Sequence, residues 1–234
     1  MDWELFQTVE RESDLFEYPT RLLLTGTSNS GKSHFLELLV RKHHERWFKI
    51  VLSGTPNKLL EFEETKGKTI LHNDDENPIY DPLKNHDEID IRNHPNQGIL
   101  VIYDDLMRQC HASSIISDVF SKGRHKSVSI ILVMQSYFPA SGDKSYYPSI
   151  KNNTNVQIFF KMRNMGELSL IARRVEYDKS GQAFFINIMK NEVQKKKYGY
   201  IALFLEESDE ELKYQSNLLG EDGSDYVTIH SNKS

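Results

Sequence analysis

Residues 21–33 read Arg21-Leu22-Leu23-Leu24-Thr25-Gly26-Thr27-Ser28-Asn29-Ser30-Gly31-Lys32-Ser33, an apolar run that breaks into a Gly/Ser-rich loop. Arg21 to Thr25 reads as a buried strand, and His34 to Trp47 reads as a helix. Gly26, Thr27, Ser28, Asn29, Ser30, Gly31, Lys32 and Ser33 match the phosphate-loop pattern G-x-x-x-x-G-K-[ST]. A loop that opens a helix presents free backbone N–H groups and the positive end of the helix dipole to an anion. Lys32 adds a point charge for the β- and γ-phosphates of ATP, and the Ser33 hydroxyl is a ligand for Mg²⁺.

Composition narrows the rest. The chain has 234 residues, enough for one α/β domain with arms. No apolar run approaches the ~20 residues that a membrane span needs. The N-terminus, Met1-Asp2-Trp3-Glu4, has no signal-peptide pattern. Cys110 is the one cysteine, so an internal disulfide is excluded, and an intracellular, reducing setting is expected. The formal net charge of -5 is concentrated at one end. Residues 206–234 hold eight acidic and two basic side chains, which leaves 27 basic against 26 acidic elsewhere. Overall acidity therefore does not argue against a nucleic-acid partner.

Further along, Gly98-Ile99-Leu100-Val101-Ile102-Tyr103-Asp104-Asp105 reads as a buried strand ending in two carboxylates, the Walker B pattern. Asp104 is expected to hold Mg²⁺. Asp105, directly after it, is placed to orient and deprotonate an attacking water. The strand Ser127–Met134 ends at Gln135, whose amide can donate to a phosphate and accept from water. That placement suits a γ-phosphate sensor in ATPases that carry an extra strand between the phosphate-loop strand and the acidic strand. Lys122-Gly123-Arg124-His125-Lys126 is either a solvated basic turn or carries, at Arg124, an arginine finger for a neighbouring subunit. Arg108 competes for that role.

Other features stay open. Lys195-Lys196-Lys197 reads as a basic turn between strands at Ala183–Met189 and Tyr198–Leu205, either a solvated hairpin tip or a DNA-backbone contact. Residues 112–121 and Glu167–Arg174 read as helices, and Asn155–Lys161 as another strand. Asp87-Glu88-Ile89-Asp90 reads as the start of a short helix, within a polar stretch that gives little periodicity. The histidines at 43, 44, 72, 86, 94 and 111 lack metal-ligand spacing. The expected organisation is an N-terminal arm (1–19), an α/β P-loop NTPase domain of RecA-like, additional-strand type with a mostly parallel sheet (20–205), and an acidic tail (206–234).

Several of these segments together resemble a family. Tyr18 to Gly26 leading into Ser30-Gly31-Lys32-Ser33, the paired Asp104-Asp105, Phe120 to His125, Ser129 to Ser136 and Asn155 to Lys161 resemble viral genome-packaging ATPases of the FtsK–HerA superfamily. The resemblance is to the poxvirus packaging ATPase and its relatives in giant viruses, virophages and Maverick/Polinton elements, and it covers roughly residues 16–175. It implies an ATPase motor that moves double-stranded DNA into a preformed capsid, assembled as a homo-oligomeric ring (pentamer or hexamer) with a capsid or portal-vertex partner. It implies residence in the host cell interior, the cytoplasm or viral factory, and association with the virion. It implies Lys32, Ser33 and Asp104 at phosphate and Mg²⁺, Asp105 as base, Gln135 as sensor and Arg124 as the trans-acting finger. Two other readings share the phosphate loop: a small-molecule or nucleotide kinase, and a non-catalytic nucleotide-gated scaffold. The acid pair with a strand-end glutamine argues against the first, and the intact Lys32, Ser33 and acid pair against the second.

Overall fold

The computed structural model describes residues 6–10, 18–54, 61–72, 74, 76–84, 93–106, 113–138, 146–205, 213–219 and 226–230. In chain order the elements are β1 (Phe6–Glu10), β2 (Arg21–Thr25), α1 (Lys32–His43), β3 (Trp47–Gly54), β4 (Thr69–His72), β5 (Gly98–Asp104) and α2 (Ser114–Lys122). They continue as β6 (Val128–Met134), α3 (Tyr147–Asn152), β7 (Val156–Phe160), α4 (Met165–Val175), α5 (Lys179–Ile188), β8 (Tyr200–Phe204), β9 (Tyr214–Ser216) and β10 (Tyr226–His230). The chain forms two compact units. One holds β1, residues 24–32 and the chain from Val156 onward; the other holds Phe16–Leu23 and Ser33–Asn155.

The second unit contains the parallel sheet. Its strand order is β2-β6-β5-β3-β4, and β4, β3, β5 and β6 run parallel to their neighbours. Parallel strands are covered on both faces, which explains their continuous apolar runs. Every residue of β6 is buried, and so is β5 from Gly98 to Tyr103. Ile99, Val101 and Tyr103 share a core with Val128, Ile130, Leu132 and Met134 and with Ile116, Val119 and Phe120 of α2. By strand alternation, Asp104 belongs to the opposite face, with Leu100 and Ile102. β6 lies between β2 and β5, the extra-strand arrangement expected from the sequence. The start of β2 is pinned there: Thr20 N donates to Ser129 Oγ (3.1 Å) and Ile130 N donates to Thr20 O (2.7 Å). Buried Arg21 donates through Nε to Asn155 Oδ1 at 2.8 Å, and its backbone N does so at 3.1 Å.

β4 was not legible in the sequence. It is a four-residue strand beyond β3, and Ile70 on it is 42 % exposed, so the hydrophobic alternation is weak. The polar stretch after it is tied down by Ser53 Oγ donating to Pro78 O (2.8 Å) and Tyr103 OH donating to Tyr80 O (2.6 Å). The expected helix at Asp87 and the residues Arg108, Cys110 and His111 lie outside the described residues.

The first unit has strand order β1-β10-β9-β8-β7, and these strands are antiparallel. β1 and the pair β9 and β10 fall within the segments that the sequence assigns to an arm and an acidic tail. One expectation is corrected here. Ala183–Met189 was expected as a strand, but it belongs to α5, which continues as a π turn over Met189–Val193. Asp178 caps the helix by accepting from Gly181 N at 2.7 Å, and Phe184, Phe185 and Ile188 form its buried stripe. The run 183–189, apolar except at Asn187, is too short to fix a period, so the Asp178 cap is the signal that decides. Phe185 meets Phe159 of β7 edge-on at 5.3 Å between ring centroids. Lys195–Lys197 therefore follow a helix rather than cap a hairpin.

Candidate nucleotide site

In the first unit, β2 leaves its sheet at Thr25 and the chain curls into residues 26–31 before α1 begins at Lys32. Asn29 (φ 60°) and Gly31 (φ 110°) adopt the left-handed region. Such turns point successive N–H groups into one concavity, which suits an anion. Gly31 is constrained twice. Its φ disfavours any L side chain, and a Cβ there would lie 3.0 Å from Tyr198 Cβ. Lys32 is buried, and its Nζ donates to Gly26 O (2.6 Å) and Thr27 O (2.7 Å). The ammonium thus lies over the loop, where a polyphosphate would compete with two neutral carbonyls. The loop is braced from β7: Thr27 donates to Lys161 O through its N (3.0 Å) and its Oγ1 (3.2 Å). Ser30 Oγ is buried without a hydrogen-bond partner. These features fit a phosphate chain.

In the second unit, β5 and β6 deliver their carboxyl ends side by side. Asp104 is half-buried, and Asp105 turns out of the strand in the left-handed region (φ 59°), which Asp tolerates better than most residues. Gln135, the first residue after β6, donates from Nε2 to Asp105 Oδ1 at 3.0 Å. The structure therefore joins two residues that the sequence picked out separately. Beside them, Gly54 of β3 pairs with Asp104, and a Cβ on Gly54 would fall 1.9 Å from Asp104 O. Ser33, exposed at the start of α1, is also in this unit. Among the described residues, no group of three His, Cys, Asp or Glu side chains could hold a metal on its own. Mg²⁺ fits such a donor set, because it keeps several waters and takes one or two protein oxygens plus substrate phosphates. Ser33 and Asp104 supply hard oxygens of that kind.

Arg124 stands apart. It lies before β6, whereas Gln135 follows it. Seven strand residues at ~3.3 Å each separate the two by roughly 20 Å. Arg124 is exposed, and its Nε donates to His125 Nε2 at 3.4 Å. It is thus not brought to Asp105 or Gln135 of its own chain. Sequence reasoning missed Tyr198, the ring against Gly31, and Asn155, the amide that fixes the start of β2. Neither carries a motif; each is defined by a partner more than 130 residues away.

Phosphate loop, inserted strand and acid–glutamine pair define a P-loop NTPase of the additional-strand type. The model of the Poxvirus A32 protein family matches residues 78–214, more than half of the chain, and the chain belongs to that family. The matched span includes the acid pair, Gln135 and α5, and it begins after the phosphate loop. No curated protein matches by sequence. Among solved structures, the genome packaging NTPase B204 from Sulfolobus turreted icosahedral virus 2 in complex with ATP-gammaS superposes with a TM-score of 0.56. It shows 16 % identity over 91 % of this chain and 97 % of that one. The DNA-packaging ATPase B204 from Sulfolobus turreted icosahedral virus gives 0.57 at 14 % identity, over 93 % and 99 %. The pCW3 conjugation coupling protein TcpA with ATPgS gives 0.51 at 13 %, over 88 % and 65 %. At these identities the likeness is one of fold.

Proposed function

We propose that this chain is an ATP-hydrolysing motor that drives double-stranded viral DNA into a preformed capsid. The observation that carries the hydrolytic part is the Gln135–Asp105 hydrogen bond at the carboxyl ends of two adjacent parallel strands. A carboxylate held there by an amide suits water activation, because the amide fixes its orientation and leaves the second oxygen for a proton. The family and the fold shared with viral packaging NTPases support the DNA-packaging part.

In this reading, backbone N–H groups of residues 26–31 and the Lys32 ammonium bind the triphosphate of ATP. Ser33 and Asp104 would hold Mg²⁺, which would supply positive charge to the phosphate chain. Asp105 accepts a proton from water as the water oxygen bonds to the γ-phosphorus and the bridging P–O bond to ADP breaks. Gln135 orients Asp105 and, through its amide, responds to loss of the γ-phosphate. Arg124 serves a neighbouring subunit, consistent with its distance from its own acids. The protein then works as a homo-oligomeric ring, pentameric or hexameric, at a capsid or portal vertex inside the infected cell. Among the described residues, no helix is long and apolar enough to cross a membrane.

Steady-state ATP hydrolysis with and without linear duplex DNA tests the reading. Duplex-stimulated turnover that Lys32→Ala abolishes supports it. Turnover indifferent to DNA at every salt concentration contradicts it.

A further inference from the structure

We propose that Lys195, Lys196 and Lys197 contact the phosphodiester backbone of duplex DNA and that Tyr198 and Gln194 couple this contact to the phosphate loop. The proposal rests on the DNA-motor reading and adds where DNA touches the chain and how nucleotide is felt there.

The three lysines are exposed, on a turn whose two feet are buried: Val193 at 0 % and Tyr200 at 5 % exposure. Lys190 is exposed on the preceding turn, and Glu192 is the single acid in residues 190–198. The segment thus concentrates positive charge on a rigid base, in a protein whose formal net charge is -5. Fixed cations of this kind, without base-reading geometry, suit sequence-independent attraction to phosphates.

Both residues flanking the lysines lead to the phosphate loop. On the carboxyl side, Tyr198 crowds Gly31, with its Cβ 3.0 Å and its Cδ1 3.2 Å from where a Cβ on Gly31 would sit. Lys197 Nζ lies 5.0 Å from the centre of the same ring. On the amino side, Gln194 Nε2 donates to Met162 O at 3.0 Å, while the adjoining Lys161 O receives both Thr27 bonds. A small displacement of the loop is therefore passed to both ends of the lysine turn, because packed atoms do not compress. Lys195 and Lys196 are held by Asn191 (3.0 Å) and Glu192 (2.9 Å), on the helical side of the turn. Lys197 lies over the ring that meets Gly31, while Lys195 and Lys196 are held on the helical side, which favours an external polyanion over the bound nucleotide as their target.

The test uses the full-length chain and a 30-base-pair duplex of arbitrary sequence, with affinity measured from about 50 to 200 mM salt. Two to three phosphate contacts contribute about 1.8–2.7 to the slope of log affinity against log salt. Replacing all three lysines with Gln should lower the slope by that amount, which shrinks the salt-induced loss of affinity over this range by roughly 12- to 40-fold. The triple Arg variant should keep the wild-type slope. Wild-type duplex affinity should also differ at least about fivefold between the nucleotide-free state and saturation with a non-hydrolysable ATP analogue, the lower end of typical site-to-site coupling. Tyr198→Ala should bind duplex without that difference, and Tyr198→Phe should retain it. An unchanged slope in the triple Gln variant, or equal nucleotide dependence in Tyr198→Ala and wild type, overturns this inference alone. So does a triple Gln variant that loses analogue affinity while keeping its duplex slope. A wild-type protein that binds no duplex at any salt overturns both this inference and the motor reading.

Discussion

Gln135 and Asp105, 30 positions apart in sequence, are joined by a 3.0 Å bond from the glutamine amide to a carboxylate oxygen. The bond exists because β5 and β6 are parallel neighbours whose carboxyl ends lie close together: the register ends at Tyr103↔Leu132, one residue before the end of β5 and two before the end of β6. Each residue lies just past the last strand position.

Removing the proposed base should remove turnover but not binding. Asp105→Asn keeps size and loses proton affinity, so kcat should fall by about 10²- to 10⁴-fold. Binding of an ATP analogue should change little, since Asp105 is assigned no phosphate contact. A variant that turns over at the wild-type rate excludes Asp105 as base.

Gln135→Glu probes the same pair differently. Two carboxylates at hydrogen-bond distance cannot both ionise easily, so one is held protonated to a higher pH. The pH–rate profile should lose activity on its acid side at higher pH than wild type, while Gln135→Ala should slow turnover without that displacement. Coincident profiles for Gln135→Glu and wild type would mean that the bond is not kept during turnover.

Gly31→Ala tests the loop. The left-handed φ costs an L residue about 1–2 kcal/mol, and the Tyr198 contact at 3.0 Å adds crowding. Thermal unfolding should shift down by several degrees, and nucleotide should bind more weakly. A variant with unaltered melting and affinity would show that neither constraint acts in solution.

Much of this site was legible locally. The phosphate loop, Asp104-Asp105 and Gln135 each combine a short motif with an apolar strand, and both are contiguous in sequence. Pairings between distant segments were not. β1 meets β10 at Phe6↔His230, and Tyr198 meets Gly31, without any local pattern that announces a partner. The α5 segment misled because Phe184, Phe185, Ile186 and Ile188 are apolar whatever the period. The separation of Arg124 from Gln135 follows from the strand expected at Ser127–Met134, observed as β6, which runs between them.

Acid should destabilise the fold in a window set by two buried imidazoles. Burial lowers His230 from its ordinary 6.5 to about 4, with Glu192 opposing and Lys196 adding to the effect. Burial likewise lowers His43 to about 4, helped by Lys42. The unfolded chain binds these protons from about pH 6.5 downward and the folded chain only near 4. Their contribution to stability is therefore complete above 6.5 and is lost as pH falls to 4. Urea midpoints should drop across that window, and His230→Gln should make the decline shallower. Equal declines in variant and wild type would remove His230 from the account.

Arg124 and Lys32 should complement one another between subunits. Arg124→Ala and Lys32→Ala proteins should each be inactive alone, and mixing them should restore a fraction of DNA-stimulated turnover. Wild-type turnover by Arg124→Ala alone would exclude it as the finger.

The most direct measurement is ATP-dependent displacement of a third-strand oligonucleotide bound to linear duplex DNA. A translocating ring should strip the third strand with ATP, and should fail with a non-hydrolysable analogue or with Lys32→Ala. Duplex-stimulated ATP hydrolysis that leaves the third strand in place would contradict the claim that this chain moves along DNA.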